Sequence, residues 1–469
     1  MTPEEFRRFG HRVVDAIADY RAGVAARPVH PPIEPGSVRA QLPAQPPQAP
    51  ESFEAVLRDV EQVLLPGLAH WQHPKFFGYF PSNGELSSVL GDYLSTGLGV
   101  LGITWESAPA LTELEERVLD WLRQMLGLSS AWRGVIQDTA SSSSLVALIC
   151  ARERTSAFAG VQRGVDQGSA PLVVYISAHA HSSVEKAALL AGFGREHLRK
   201  IAVDASYALD AAALERAIRD DLAAGRRPCA IVATTGTTTT TAMDPIAACA
   251  RLARELGLWL HVDAAMAGSA MILPECRVLW DGIEGADSLV LNPHKWLGAA
   301  FDCSTYYVRD PEHLVRVMST NPSYLQTSAD GEVTSFRDWG IPLGRRFRAL
   351  KLWCLIREQG VSGLQSRLRR DLENAQWLAE QVRALPHWRL LAPVSLQTLC
   401  IRHEPPGFSP AALDHHTLTW LERLHASGSA WLTPAQLEGR WMVRISIGSI
   451  PTERPHLTQL LTDLQLATR

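Results

Sequence analysis

Short apolar runs of strand length recur between residues 81 and 345, at Leu172–Ile176, Ala230–Ala233, Leu258–Val262, Ser288–Leu291 and Tyr306–Val308. Helix-length stretches such as Ala211–Ala224 and Pro245–Leu256 separate several of them. A strand that is apolar along its whole length is buried on both faces. A chain that alternates such strands with helices builds a mostly parallel sheet covered on both sides. The pattern therefore predicts an α/β fold, in which functional groups gather at the carboxyl ends of the strands.

The flanks differ. Phe6, Phe9, Val13, Ile17, Tyr20 and Val24 recur at three- to four-residue spacing and predict an amphipathic N-terminal helix. The proline-rich stretch from Pro28 to Pro50 disfavours helix and predicts extended backbone. Such an arm cannot cover its own apolar stripe, so it is expected to lie on another subunit or on the main body. Beyond Gly344 a long helical stretch, Arg345 to Leu385, leads to strand-like runs at Gln397–Arg402 and Met442–Ile447 and a final helix. The expected organisation is a helical and extended arm over 1–80, a large domain over 81–345 and a small α+β domain over 346–469.

Composition removes several classes. Hydrophobic residues at 46% and charged residues at 20% suit a globular enzyme. A net charge of −4 with no long basic run provides no field for nucleic acid or an acidic membrane. The cysteines at 150, 229, 249, 276, 303, 354 and 400 form no C-x-x-C pair and read as reduced thiols of a cytoplasmic protein. The start, MTPEEFRRFG, lacks a signal peptide's apolar stretch, and no window approaches the roughly 18 apolar residues that span a bilayer.

Four features carry chemistry. In Asn292-Pro293-His294-Lys295, a lysine follows a strand end, where burial disfavours its charge and makes the amine a Schiff-base former; an exposed surface lysine is the alternative. Asp263, in HVDAA, ends another strand and suits a carboxylate against a protonated pyridine nitrogen; a helix cap is the alternative. The run Asp138-Thr139-Ala140-Ser141-Ser142-Ser143-Ser144 opens the helical stretch Leu145–Arg154 and offers donors to a phosphate, or is a serine-rich cap without ligand. His179-Ala180-His181 follows a third strand, and there a histidine can stack on a cofactor or move a proton. A structural histidine, or a metal ligand with no further Cys/His cluster nearby, remains open. In combination, the phosphate site, the histidine, the aspartate and a lysine 32 residues after it follow the order of a type I pyridoxal-phosphate fold, as in aspartate aminotransferase.

With the segments HWQHPKFFGYFPS (70–82), GVIQDTASSSSLVALICAR (134–152), SAHAHSSVEKAALL (177–190), ATTGTTTTT (233–241), LWLHVDAAMAGSA (258–270), ADSLVLNPHKWL (286–297) and IPLGRRFRALKLW (341–353), the chain resembles the group II amino-acid decarboxylases. Within them it looks like the aromatic-L-amino-acid decarboxylases and, among bacterial members, the L-DOPA decarboxylases. The resemblance implies that pyridoxal 5′-phosphate is bound through Lys295, with Asp263 at the pyridine nitrogen. It puts His181 on one ring face and Ala265 on the other. Thr139, Ala140 and Ser141 match the phosphate-binding stretch, Asn292 and His294 also hold the phosphate region, and Thr238 contacts the cofactor near the substrate carboxylate. Tyr324 matches the tyrosine of a mobile catalytic loop, here Met318 to Val333, that reaches the opposite subunit and protonates the carbon that has lost CO2. Relatives with phenylalanine there tend to make aldehydes. Read without the family, Ser328, Asp330 and Gly331 mark a flexible segment beside an aromatic residue. The substrate pocket is implied at Trp71, Tyr79, Phe80, Pro81, Leu101, Ile103 and Gly344, with Arg444 supporting it. Animal relatives carry phenylalanine at position 103, and histidine-selective ones often serine at position 344. A homodimer with shared active sites is expected. Sister enzymes acting on histidine or glutamate, an aldehyde-forming enzyme and a non-catalytic scaffold are the rival readings.

Overall fold

The computed structural model describes residues 1–165, 170–320 and 332–469. They form two compact units: Ser82–Ala375 with Ala392–Leu399, and Met1–Pro81 with Gln376–Leu391 and Cys400–Arg469.

The larger unit is built on a seven-stranded sheet. Its strands are β1 (Arg133–Gln137), β2 (Leu172–Ser177), β3 (Leu198–Ile201), β4 (Arg227–Thr234), β5 (Trp259–Asp263), β6 (Ser288–Leu291) and β7 (Ser304–Val308), in the order β1-β7-β6-β5-β4-β2-β3. Neighbours run parallel from β6 through β3, and β7 runs antiparallel to both β6 and β1. Strands β5, β6 and β7 are buried along their whole length, which is why they read as unbroken apolar runs. Helices cover the sheet. Ala140–Thr155 packs on β4 through β7, and Ile246–Leu256 packs on β4 and β5. Asp210 starts the helix Ala211–Ala223 by accepting the Ala212 and Ala213 amides at 2.8 and 3.1 Å.

The architecture is the expected α/β fold with a mostly parallel sheet. Two strands were not expected. β1 begins with Arg-Gly, and β3 is the four-residue Leu-Arg-Lys-Ile; both are edge strands, where short length and charge are tolerated. The helix that carries the serine run also starts earlier than expected, at Ala140 rather than Leu145, so the serines occupy its first turns.

In the smaller unit the N-terminal helix spans Pro3–Gly23, started by a Thr2/Glu5 capping box. Phe9 and Val24 of its stripe are buried, while Phe6 and Ile17 remain exposed. The proline-rich stretch is not wholly extended. Ser37–Gln41, free of proline, forms one helical turn after Gly36 at φ +89°. The C-terminal sheet has the order β10-β11-β9-β8, made of β8 (Trp388–Leu390), β9 (Thr398–His403), β10 (Thr433–Leu437) and β11 (Arg440–Ser446), before a final helix, Arg454–Ala467. The long helix runs Arg348–Ala384, its helical geometry broken at Gly360.

Candidate active site

The strand ends of the larger unit assemble most of the residues singled out from sequence. Pairing of β5 with β6 puts Asp263 opposite Val290, and beyond the strands the Ala264 amide donates to Val290 and the Asn292 amide to Ala265, both at 2.9 Å. Asp263 is buried, and its Oδ1 accepts the Ala265 amide at 3.0 Å. Among the described residues no cation lies within ion-pair distance of this carboxylate. Lys295 sits half-buried in the turn Pro293–Leu297, directly after β6. His294 beside it is buried.

His181 is the N-cap of the helix Ser182–Leu190. Its Nδ1 accepts the Ser183 amide at 3.2 Å and lies 2.7 Å from the Ser183 hydroxyl. It senses the charges of both Asp263 and Lys295. Crowding at the strand ends lowers its pKa although part of the ring stays open to solvent; Asp263 opposes that shift and Lys295 adds to it. His179 instead stacks on Tyr207, with centroids 5.9 Å apart. Among the described residues no group of three or more His, Cys, Asp or Glu is placed to hold a metal ion.

At the start of the helix Ala140–Thr155, Thr139 is the N-cap but its side chain makes no capping hydrogen bond, so the first-turn amides are not satisfied from within. Ser141 is exposed, whereas Ser143 and Ser144 point into the core. Ser144 Oγ lies 3.4 Å from His261 Nε2, and His261 Nδ1 lies 2.9 Å from Ser288 Oγ, so a polar chain ties this helix to β5 and β6.

Thr238 is half-buried in the loop after β4. That loop folds back on itself, Gly236 and Thr237 donating to the Ala242 carbonyl at 2.9 and 3.0 Å. Asp244 anchors it, accepting the Thr234 amide at 2.7 Å and the Leu209 amide at 2.8 Å. Burial pushes the Asp244 carboxyl up to about 7. This residue carried no motif in the sequence.

The residues expected to line a substrate pocket fall into two groups. In the smaller unit Trp71 stacks on Tyr79, with centroids 5.4 Å apart and planes 15° from parallel. Arg444 lies over the Phe80 ring at 4.9 Å and donates to the Tyr79 carbonyl at 3.5 Å. Burial lowers the Arg444 pKa to about 10. Pro81 is buried beside them in the chain. In the larger unit Gly102 and Arg345 exchange backbone hydrogen bonds at 3.0 and 2.9 Å, which sets Leu101 and Ile103 beside Gly344; a Cβ at Gly344 would stand 3.3 Å from Leu101 Cδ1. Tyr324 lies outside the described residues, and Met318 is the last residue of the helix Pro311–Met318.

A family model described as the pyridoxal-dependent decarboxylase conserved domain matches residues 35–404. The chain belongs to the pyridoxal-dependent decarboxylase family. Tyrosine/DOPA decarboxylase 2 of Papaver somniferum is 39% identical over 490 residues, covering 97% of this chain and 91% of its own. Phenylacetaldehyde synthase of Arabidopsis thaliana is 39% identical over 470 residues, covering 98% of this chain and 95% of its own. A crystal structure of Oryza sativa TDC with PLP and tryptamine superposes with a TM-score of 0.96 at 35% identity, covering 100% of this chain and 98% of that one. This decarboxylase is a type I pyridoxal-phosphate enzyme and a carboxy-lyase. Its residues fit the cofactor. A buried carboxylate with no cation against it among the described residues suits a protonated ring nitrogen, and the uncapped helix start suits a phosphate.

Proposed function

We propose that this decarboxylase removes the α-carboxylate of aromatic L-amino acids, L-DOPA foremost, with 5-hydroxytryptophan, tryptophan, tyrosine and phenylalanine as further candidates, and releases the amine and CO2. The observation that carries the reading is Asp263, a buried carboxylate with no cation among the described residues, one strand away from the Lys295 turn. The aromatic substrate class is supported by what the relatives' names say they act on.

When bound, pyridoxal phosphate supplies the sink for the electrons left by the departing carboxylate. Lys295 Nζ would hold the cofactor until the substrate amine takes its place. Asp263 keeps a proton on the pyridine nitrogen. Asn292, His294 and the first turn at Thr139–Ser141 hold the phosphate, with Thr238 and Ala265 contacting the rest of the cofactor. His181 Nδ1 is engaged by Ser183, which leaves Nε2 to carry a proton at the reacting face. Tyr324 supplies the proton to the α-carbon. A tyrosine there supports amine as the product, against the aldehyde named in the Arabidopsis relative. Trp71, Tyr79, Phe80, Pro81, Leu101, Ile103 and Gly344 are proposed to receive the aromatic ring, with Arg444 bracing the Tyr79–Phe80 segment.

A homodimer is part of this reading. On the helix Leu86–Leu98, the residues Leu86, Leu90, Leu94 and Leu98 recur every fourth position and are all exposed, as an uncovered interface stripe would be. Buried cysteines that form no disulfide among the described residues support a cytoplasmic setting.

The test is to incubate cofactor-loaded protein with L-DOPA, 5-hydroxytryptophan, tryptophan, tyrosine, phenylalanine, histidine and glutamate, quantifying CO2, amine and aldehyde. Amine from an aromatic substrate is expected. CO2 from histidine or glutamate alone, or aldehyde as the main product, overturns the reading.

A further inference from the structure

The turn that carries Lys295 is not regular helix, because Lys295 itself sits at φ −97° and ψ −111° between helical neighbours. Something outside the turn must hold this shape, and the contacts are specific. Trp296 Nε1 donates to Asp371 Oδ2 at 2.9 Å. Arg367 Nη2 donates to the Leu297 carbonyl at 2.7 Å. Asn83 Nδ2 donates to the Lys295 carbonyl at 3.3 Å, and the Glu85 amide to the Gly298 carbonyl at 2.9 Å. Gly298 ends the turn at φ +99°, where a Cβ would meet Arg367 Nη2 at 3.2 Å, so the guanidinium packs directly against the backbone.

Arg367 and Asp371 are four residues apart and therefore share one face of the helix Arg348–Ala384. That face is otherwise largely apolar: Leu364, Leu368 and Ala375 are fully buried around them, with Asn374 a further buried polar group. Asp371 is fully buried and Arg367 nearly so, and two guanidinium nitrogens of Arg367 have no hydrogen-bond partner. Burial raises the Asp371 pKa and lowers that of Arg367, each opposing the other's shift. Buried charges paired this incompletely are poor stabilisers, and well-packed apolar residues would serve stability as well or better. Their common target distinguishes them. One grips the first residue after Lys295 and the other grips the second.

We infer that Arg367 and Asp371 are positioning residues, which fix the backbone of Trp296 and Leu297 and thereby the direction in which the Lys295 amine reaches. The inference rests on the proposed reading of Lys295 as the cofactor-bearing residue. A displaced amine slows every step it takes part in, while the distant substrate contacts that govern affinity stay in place.

The experiment compares holoenzyme of the parent with Trp296→Phe, Asp371→Leu, Asp371→Asn and Lys295→Ala. It measures kcat and KM, the visible band of the lysine-bound cofactor with its pH midpoint, and thermal unfolding. Trp296→Phe removes the N–H donor together with part of a fully buried ring, and the unfolding temperature registers that packing loss separately from kcat and the midpoint. Trp296→Phe and Asp371→Leu are expected to lower kcat by about 10- to 100-fold with KM little changed. Both should also move the midpoint of the visible band by about half a pH unit or more. Asp371→Asn, whose amide oxygen still accepts from the indole, recovers most of the loss. If Trp296→Phe leaves kcat and the midpoint unchanged, whatever happens to the unfolding temperature, the positioning role is wrong. Should Asp371→Leu fail to fold, Trp296→Phe alone decides. Lys295→Ala separates the two readings: if borohydride still fixes the cofactor to the protein in that variant, the lysine assignment itself fails.

Discussion

His294 and Cys303 close a reciprocal pair, the Cys303 amide donating to His294 Nδ1 at 2.9 Å while the His294 amide donates to the Cys303 carbonyl at 3.2 Å. The ring accepts at Nδ1 and so carries its proton at Nε2. Burial, reinforced by the neighbouring Lys295, pushes the His294 pKa down to about 4. The imidazole is thus neutral at physiological pH and offers one fixed donor.

A stability profile follows from this neutrality. His261, buried beneath the site, is also pushed down to about 4 by burial, as is His73 in the smaller unit. A histidine whose pKa is depressed on folding binds more protons when unfolded. Its contribution is therefore complete above about 6.5 and is lost as pH falls toward 4. Asp244, raised to about 7, works the other way and softens the slope between these limits. Thermal unfolding followed from pH 7.5 to 4.5 at constant ionic strength should show a falling midpoint. A flat profile would contradict the buried neutral histidines.

Replacing Lys295 by alanine should reduce turnover by about three orders of magnitude or more and abolish the visible band of the bound cofactor. Circular dichroism should remain that of the parent, since the side chain is only half-buried.

For Asp263, the asparagine variant keeps an oxygen to accept the Ala265 amide but loses the charge. A loss in kcat of about 10²- to 10³-fold is expected with the fold intact. Rates within a factor of two of the parent would remove Asp263 from the pyridine nitrogen.

Tyr324→Phe tests the choice of product. In the proposed reaction this variant shifts output from amine toward aldehyde and ammonia, with dioxygen consumed, and an oxygen electrode coupled to aldehyde trapping measures it. An unchanged amine yield takes Tyr324 out of the protonation step.

Leu90→Asp combined with Leu94→Asp places two charges on the exposed stripe of the helix Leu86–Leu98. Sedimentation should then report a monomer with little activity. A stable, active dimer in that variant would place the interface elsewhere.

The strands that the sequence revealed were those buried on both faces, where apolar content is continuous: β6 was expected at Ser288–Leu291 and found there. β1 and β3 escaped because an edge strand needs no such run, and Arg199 and Lys200 mask β3. The early helix start escaped because serine is a weak helix former; burial of Ser143 and Ser144 and the Ser143 hydroxyl bond to the Thr139 carbonyl favour it there. Asp263, Lys295 and His181 were singled out as candidates because each ends or follows a strand, whereas Asp371 is 75 residues from its partner Trp296. Nothing in the local pattern around Asp371 points to that distant partner.

Among the described residues, strand β1 pairs only with β7, about 170 residues later in the chain. During synthesis at roughly 5 to 20 residues per second, β1 therefore waits on the order of ten to thirty seconds for its partner, its hydrogen-bonding edge open throughout. Loop closure over such a separation is slow, and an unpaired edge invites pairing with other chains. The late place of β7 in the chain thus delays completion of this sheet until about two thirds of the protein has been synthesised. It also makes nascent chains truncated before Ser304 the forms most exposed to aggregation and to chaperone capture.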